Sequence, residues 1–412
     1  VISGAMPFIK QDIPLSPFQR GLVVSGLLVG AMAGAGASGR LADVWGRRRL
    51  ILWAAVVFTA GTVGAMLATT AWMLVVFRFG IGVGIASVVV PLYLTELAPK
   101  QSRGGLTSLM QLLVTVGILV AYVTDYALAD TGSWRWMLGL GAVPAVLLGI
   151  GIYFQPESPR WLVKHGRADQ ARAVLTSLRG SNAREVEQEL DEIQAADREK
   201  EAENAVGVRV MLTPRLRRVL LPGLGLVFFQ NFIGINTIIY SAPTLLTTLG
   251  FGTSGAILAN VGTGVVNVLM PLPALRVIDR VARKSLLAVG SIGMLVSMLV
   301  LGVANAVGVS CGPLLVAITL GSILVYIASF AVSWGPVQWV LLPELFPLRM
   351  RGSAVGICLV FNMAVALVFP VLLDITGPGA MFLFFALMAV LSFWFIQCGL
   401  IETKGKSLGS VL

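Results

Sequence analysis

The chain has 412 residues, of which 57% are hydrophobic and only 12% charged, and its formal net charge is +10. A soluble chain of this size would need far more charge to cover its surface, so an ordinary water-soluble fold is excluded. The mean hydropathy of +0.87 makes lipid the solvent. In lipid every backbone N–H and C=O must be paired inside its own segment, which here selects helices.

Residues 1–9, VISGAMPFI, are too short to span and read as the outer end of a helix whose beginning precedes Val1. Complete spanning helices are predicted at 21–38, 50–68, 72–97, 105–128, 134–154, 218–248, 256–276, 285–305, 313–342, 351–373 and 380–400. These runs are mostly about twenty residues or longer, enough for a helix to cross a bilayer core, and they lack the alternation of a lipid-facing strand. The expected fold is therefore an all-α membrane protein. Its first half is 1–154, with the first helix incomplete; its second half is 218–401; a tail follows at 402–412. Between the halves lies a polar linker, 155–217. There Ala171, Val174, Leu175 and Leu178, and again Val186, Leu190 and Ile193, recur at helical spacing, which predicts short amphipathic helices. The acidic run from Glu185 to Glu203 is expected to be partly disordered.

The distribution of charge orients the chain. Of the 30 Lys and Arg, 26 fall in 39–49, 98–104, 155–218, 276–284, 349–351 and 402–406, all on one side of the predicted spans. The opposite loops near 69–71, 129–133, 249–255, 306–312 and 374–379 carry none. This asymmetry places the charged side, with linker and tail, in the cytoplasm. The basic residues cap helices and border lipid, so nucleic acid is not an expected partner. Cys311, Cys358 and Cys398 sit at unrelated spacings and the only histidine is His165, so neither a disulfide framework nor a metal centre is expected. No cofactor is implied, and no G-x-x-x-x-G-K-[ST] loop for ATP occurs. The absence of any N-x-[ST] sequon, with short outer loops, favours a bacterial inner membrane.

Two patterns occur twice. Arg40, Asp43, Gly46, Arg47 and Arg48 return 236 residues later as Arg276, Asp279, Ala282, Arg283 and Lys284. Glu96, Pro99, Arg103 and Gly104 return 248 residues later as Glu344, Pro347, Arg351 and Gly352. Such recurrence between apolar runs predicts two related halves. Arg and Lys anchor helix ends at the lipid surface in any case. The acids ask for more: Asp43 and Asp279 want cationic partners, for which Arg103 and Arg351 are candidates, and Glu96 and Glu344 lie in the same layer. A ring of such pairs would act as a latch that must break when the protein opens inward.

GRLADVWGRRR resembles the loop signature of the major facilitator superfamily. PLYLTELAPKQSRG, WRWMLGL, PESPRWL, QNFIGINTIIYSAP, WGPVQWVLLPELFPLRMRG and ETKGKSL resemble, in order and across Val1 to Leu408, the sugar porter family within it. The resemblance implies two six-helix halves and transport by alternating access, with no enzymatic activity. It adds Glu157 and Arg160 of PESPRWL to the charge network of Arg40, Asp43, Arg47, Glu96, Arg103, Asp279, Arg283, Glu344 and Arg351. The chemistry of a sugar site supports it independently. A hexose hydroxyl both donates and accepts, and neutral amides do both without burying a charge. Helical amides amid apolar residues are Gln111, Gln230, Asn231, Asn236, Asn267 and Asn362, and the aromatic candidates are Tyr240 and Trp334. In the resembling family the positions of Gln111, Gln230, Asn231, Asn236, Asn267 and Trp334 line the sugar site. A lone intramembrane amide serves equally as glue between helices, and an aromatic as packing. Gly234 and Gly335–Pro336 break helices beside these residues. Asn231 stands where the family usually has a second glutamine, Met363 where many members have tryptophan, Ile401 where proline is usual, and Ala282 where glycine is usual.

Arg78 is the only basic residue deep in a predicted span. An arginine there costs roughly 2.5–3.5 kcal/mol on insertion scales unless it is paired or wet. In proton-coupled sugar porters this position pairs with a first-helix acid, whose place here precedes Val1; Asp125 is a second acid inside an apolar run. The expected partners are thus a monosaccharide, a proton and the bilayer, with the monomer as the functional unit. Facilitated diffusion of sugar, or carriage of a polyol, organic acid or drug on the same scaffold, are the alternatives. An organic-acid carrier would want another cation near the amides, and a membrane enzyme would want a nucleophile–base or metal constellation at depth.

Overall fold

The computed structural model describes residues 2–85, 89–98, 103–179, 183–203, 214–236, 238–239, 253–272, 281–306, 313–345, 357–358, 361 and 368–400. Among them the regular structure is helical throughout. In the first half the helices are α1 (Ile2–Asp12), α2 (Pro17–Trp45), α3 (Arg47–Met66), α4 (Ala71–Val83), α5 (Val89–Leu97), α6 (Arg103–Ala127), α7 (Trp134–Gly139) and α8 (Ala142–Tyr153). The linker supplies α9 (Pro159–Lys164), α10 (Ala168–Arg179) and α11 (Ala183–Glu203). The second half supplies α12 (Pro214–Phe232), α13 (Thr253–Leu269), α14 (Arg283–Ala306), α15 (Pro313–Val332), α16 (Trp334–Leu345) and α17 (Val368–Gly399).

Six of the described helical segments are long and apolar enough to cross a bilayer, and four more are apolar but shorter. Their outward faces carry Trp53, Leu147, Val289 and Trp394, all more than half exposed, as lipid contact requires. Several predicted spans are not single rods; the run 72–97, for one, turns at Gly84–Ile85 at the end of α4. The run 134–154 turns at Leu140–Gly141 between α7 and α8; the run 218–248 leaves α-helix after Phe232; and the run 313–342 turns at Ser333 and continues as α16 to Leu345. In the opposite sense, α17 runs as helix through 374–379, which hydropathy places as a loop between the spans 351–373 and 380–400. Pro378 lies well inside α17, not in its first turn, so it removes the helical hydrogen bond to the carbonyl of residue 374.

Each half has its own core. Ile9, Val23, Leu74, Trp134 and Met137 pack together in the first, and Leu226, Tyr326, Trp334, Leu341 and Phe385 in the second. The halves meet where α6 packs along α13. On the side opposite the charge-rich loops, Asp12 accepts from the Trp134 indole at 2.8 Å and from Arg135 at 2.9 Å. The indole bond first, and the guanidinium second, hold the Asp12 carboxyl below its ordinary range.

The linker helices bury the predicted apolar stripe: Trp161, Leu162, Ala171, Leu175, Val186 and Leu190 form one cluster, with Val174 and Ile193 against it, while Leu178 stays 37% exposed. The acidic run expected to be partly disordered is the helix α11. Two cross-helix pairs hold it, Arg172 to Glu187 at 2.7 Å and Arg179 to Glu189 at 2.9 Å. The same Arg179 donates to the Leu97 carbonyl at 3.0 Å, tying the linker to the end of α5.

Candidate functional site: a charged latch and a broken amide helix

The latch is built on a tight turn. Gly46 separates α2 from α3 at φ +93°, a left-handed conformation that glycine adopts without penalty. The turn leaves the first amides of α3 without helical partners, and Glu157 fills that place. Its Oε1 accepts from the backbone N–H of Arg47 at 2.9 Å, of Arg48 at 3.1 Å and of Ser158 at 2.9 Å. A carboxylate at a helix N-terminus also meets the positive end of the helix dipole. A Cβ at residue 46 would lie 2.3 Å from Glu157 Oε2, so glycine is required twice over.

Arg47 turns inward. Its Nε lies 3.1 Å from Glu96 Oε2 and its Nη2 3.3 Å from Glu96 Oε1, a two-pronged pair in which both residues are 7% exposed. Its Nη1 donates to the Ala42 carbonyl at 3.1 Å and lies 3.3 Å from Asp43 Oδ1. Ser158 Oγ donates to Glu96 Oε2 at 2.5 Å. Asp43 finds its cations in Arg47 and, at 3.1 Å, Lys164; its backbone carbonyl accepts from the Trp161 indole at 2.9 Å. Among the described residues, then, the partners of Asp43 come from the i+4 turn and from the docked α9. Arg40 and Arg160 are exposed. The side chains of Arg103 and Glu344 are not among those described, and Asp279 and Arg351 lie outside the described residues.

The second half repeats part of this arrangement. Arg283 opens α14 as Arg47 opens α3. Arg48 donates to the carbonyls of Ile152 and Tyr153 at the end of α8, and Lys284 donates to that of Gln397 at the end of α17, at 3.1 Å. Cations at helix C-termini satisfy carbonyls that the helix itself cannot.

The amide cluster lies where α12 breaks. Gly234 has φ +101°, and an added Cβ there would lie 2.6 Å from the Phe385 ring. The break frees a carbonyl at Ile233, which the buried Tyr326 hydroxyl takes up at 3.0 Å. Across the break Asn236 Nδ2 donates to Asn231 Oδ1 at 3.0 Å, and Asn231 Nδ2 donates to the Val227 carbonyl at 3.0 Å. Gln230 beside them and Asn267 on α13 are half-buried. Gln111 lies on α6 with its side chain not described, and Tyr240 and Asn362 lie outside the described residues.

Trp334 is held by packing and by its own hydrogen bond. It is fully buried in the core of the second half, and its indole donates to Ser291 Oγ at 3.0 Å, with Ser392 on the same hydroxyl at 3.2 Å. That geometry is the packing role. Two further amides stand buried in apolar helices, Gln338 on α16 and Asn260 on α13, and their place in apolar runs is the sequence signal for them. Arg78 is buried at 5%, and its guanidinium donates to the Val23 carbonyl of α2.

The model of the sugar (and other) transporter family matches residues 9–411. The chain belongs to this family. As a transporter it is 46% identical to the metabolite transport protein YwtG of Bacillus subtilis (strain 168), a match covering 100% of the chain and 90% of that protein. It is 43% identical to the glucose transporter GlcP of Staphylococcus epidermidis (strain ATCC 12228 / FDA PCI 1200), over 100% of the chain and 92% of the relative. Its fold matches the proton:xylose symporter XylE of E. coli, bound to 6-bromo-6-deoxy-D-glucose, with a TM-score of 0.82 at 31% identity, covering 100% of this chain and 94% of that one. The fold is therefore the all-α major facilitator fold of a multi-pass membrane transporter, and the family is one of sugar transporters, not of enzymes.

Proposed function

We propose that the protein carries a hexose or pentose across a bacterial inner membrane as a monomer, by alternating access and in symport with protons, with its linker and tail in the cytoplasm. The observation that carries the sugar reading is the amide set at the break of α12, where Asn231 and Asn236 are held in fixed geometry and Gln230 stands beside them. Neutral amides so held match a polyhydroxyl ligand and repel no charge. The relatives named for glucose and for xylose point to the same class of cargo. Proton coupling is supported by the buried Arg78 and by the likeness to a proton:xylose symporter. Orientation follows from the one-sided Lys and Arg.

Counterflow of labelled sugar in proteoliposomes tests the reading. Exchange of D-glucose or D-xylose is expected; failure with every hexose and pentose removes it. Sugar added outside should alkalinise the outer medium if transport is symport and leave its pH unchanged if transport is facilitative. Gln230→Ala should weaken sugar binding about 10- to 100-fold, since a buried hydrogen-bonding amide is worth roughly 1–3 kcal/mol to its partner. An unchanged affinity in titration calorimetry would remove Gln230 from the site.

The latch is proposed as the inner gate. Asp43 is half exposed, and its pairs with Arg47 and Lys164 are worth under about 1 kcal/mol each. Asp43→Asn should therefore leave the melting temperature nearly unchanged while shifting the labelling of cysteines placed on the charged face. If labelling and transport rate both stay at wild-type values, Asp43 is not part of the gate.

A further inference from the structure

We propose that Gln338 is a further sugar ligand, a specificity-determining amide contributed by α16 opposite the amides of α12. Gln338 is fully buried, and among the described residues neither its Oε1 nor its Nε2 has a hydrogen-bond partner. Buried amides are otherwise paired, because an unmade bond costs the full desolvation of the group. A glutamine whose two functions are both unmet in the middle of an apolar helix is matched to a partner that donates and accepts at once, which is what a hydroxyl does.

Its position follows from the packing of the two helices. They lie against each other and run in opposite directions, α12 away from the charged linker and α16 towards the charged segment at Glu344. Val227 of α12 and Leu342 of α16 belong to one buried cluster with Cys358. One turn further from the charged side stand Asn231 on α12 and Gln338 on α16, each on the same helix face as its cluster residue. The two amides thus come level across the helix pair. The neighbouring core positions Trp334, Val337 and Leu341 are apolar or already hydrogen-bonded, so nothing in that wall competes for Gln338.

The proposal rests on the sugar reading above, and its test keeps the two apart. Wild-type protein in detergent is titrated with D-glucose, D-xylose and the single-position deoxy-glucoses, beside Gln338→Leu. Sugar-free melting temperatures are measured for both. A ligand role predicts that Gln338→Leu binds glucose at least 10-fold more weakly yet melts at the same or a higher temperature, because an unmet amide has been exchanged for apolar volume. It also predicts that one deoxy-glucose loses affinity against glucose on the wild type but not on the variant, which identifies the hydroxyl that Gln338 meets. Unchanged affinity overturns the proposal, and so does a lower melting temperature with unchanged affinity, which is the mark of helix glue. If wild-type protein binds no sugar at all, the sugar reading itself has failed and Gln338 falls with it. If Gln338→Leu does not fold, Gln338→Met, of similar reach and equally without hydrogen-bonding groups, carries the same comparison.

Discussion

Arg47→Met is expected to destabilise the protein by about 3–5 kcal/mol, the usual cost of removing one partner from a buried ion pair. Glu96 would remain 7% exposed with the Ser158 hydroxyl as its remaining described partner. The arginine also supplies bonds to Ala42 and Asp43, so the turn at Gly46 loses its inner support. Unfolding in detergent, followed by denaturant or heat, measures the loss. The double variant Arg47→Met with Glu96→Leu should recover much of it, because a buried pair replaced by packed apolar groups is often neutral. A double variant as unstable as the single one would show that the destabilisation comes from the turn and not from the stranded carboxylate. A single variant as stable as wild type would remove the pair from the energetics of the fold.

Gly234→Ala is expected to lower sugar counterflow about 10-fold or more. A left-handed conformation costs an ordinary L-residue roughly 1–2 kcal/mol. Here the added Cβ also meets the Phe385 ring at 2.6 Å. The chain can relieve both by straightening, but straightening moves Asn236 away from Asn231 and withdraws the Ile233 carbonyl from Tyr326. Gly262→Ala on α13 is the control, since a Cβ there meets nothing within 4 Å. Equal transport by both variants would show that the break in α12 has no part in the cycle.

What the sequence shows of this protein depends on how local the cause is. Hydropathy suffices for most spans, because pairing the backbone in lipid is a demand on each segment alone. Gly234 was legible for the same reason, as a glycine inside an apolar run that must bend, and Gly46 as part of a charged turn between two spans. Of the two cations on Asp43, Lys164 was not legible. Lys164 comes from a linker helix that reaches the site only in three dimensions, and no spacing announces it. Trp334 read as a site residue from resemblance, yet its use of Ser291, 43 residues upstream, depends on how α14 and α16 pack. Gln338 is an amide in an apolar run, a signal it shares with every helical amide of this chain. Only its lack of a partner, which no sequence displays, singles it out.

Glu157 stands 110 residues after the arginine whose amide it caps. As the chain is synthesised, the Gly46 turn emerges and the first helices enter the bilayer long before that carboxylate exists. Until α8 has been made and the linker has begun, the N-terminus of α3 carries open amides, and Glu96 lacks its Ser158 bond. The closing of this loop is therefore a late event in assembly, and its contacts are long-range ones whose entropy of closure must be met before they return any stability. A nascent chain ending before residue 157 would hold the apolar bundle of its first half with its charged turn still unlatched, so the linker completes the fold of the half that precedes it.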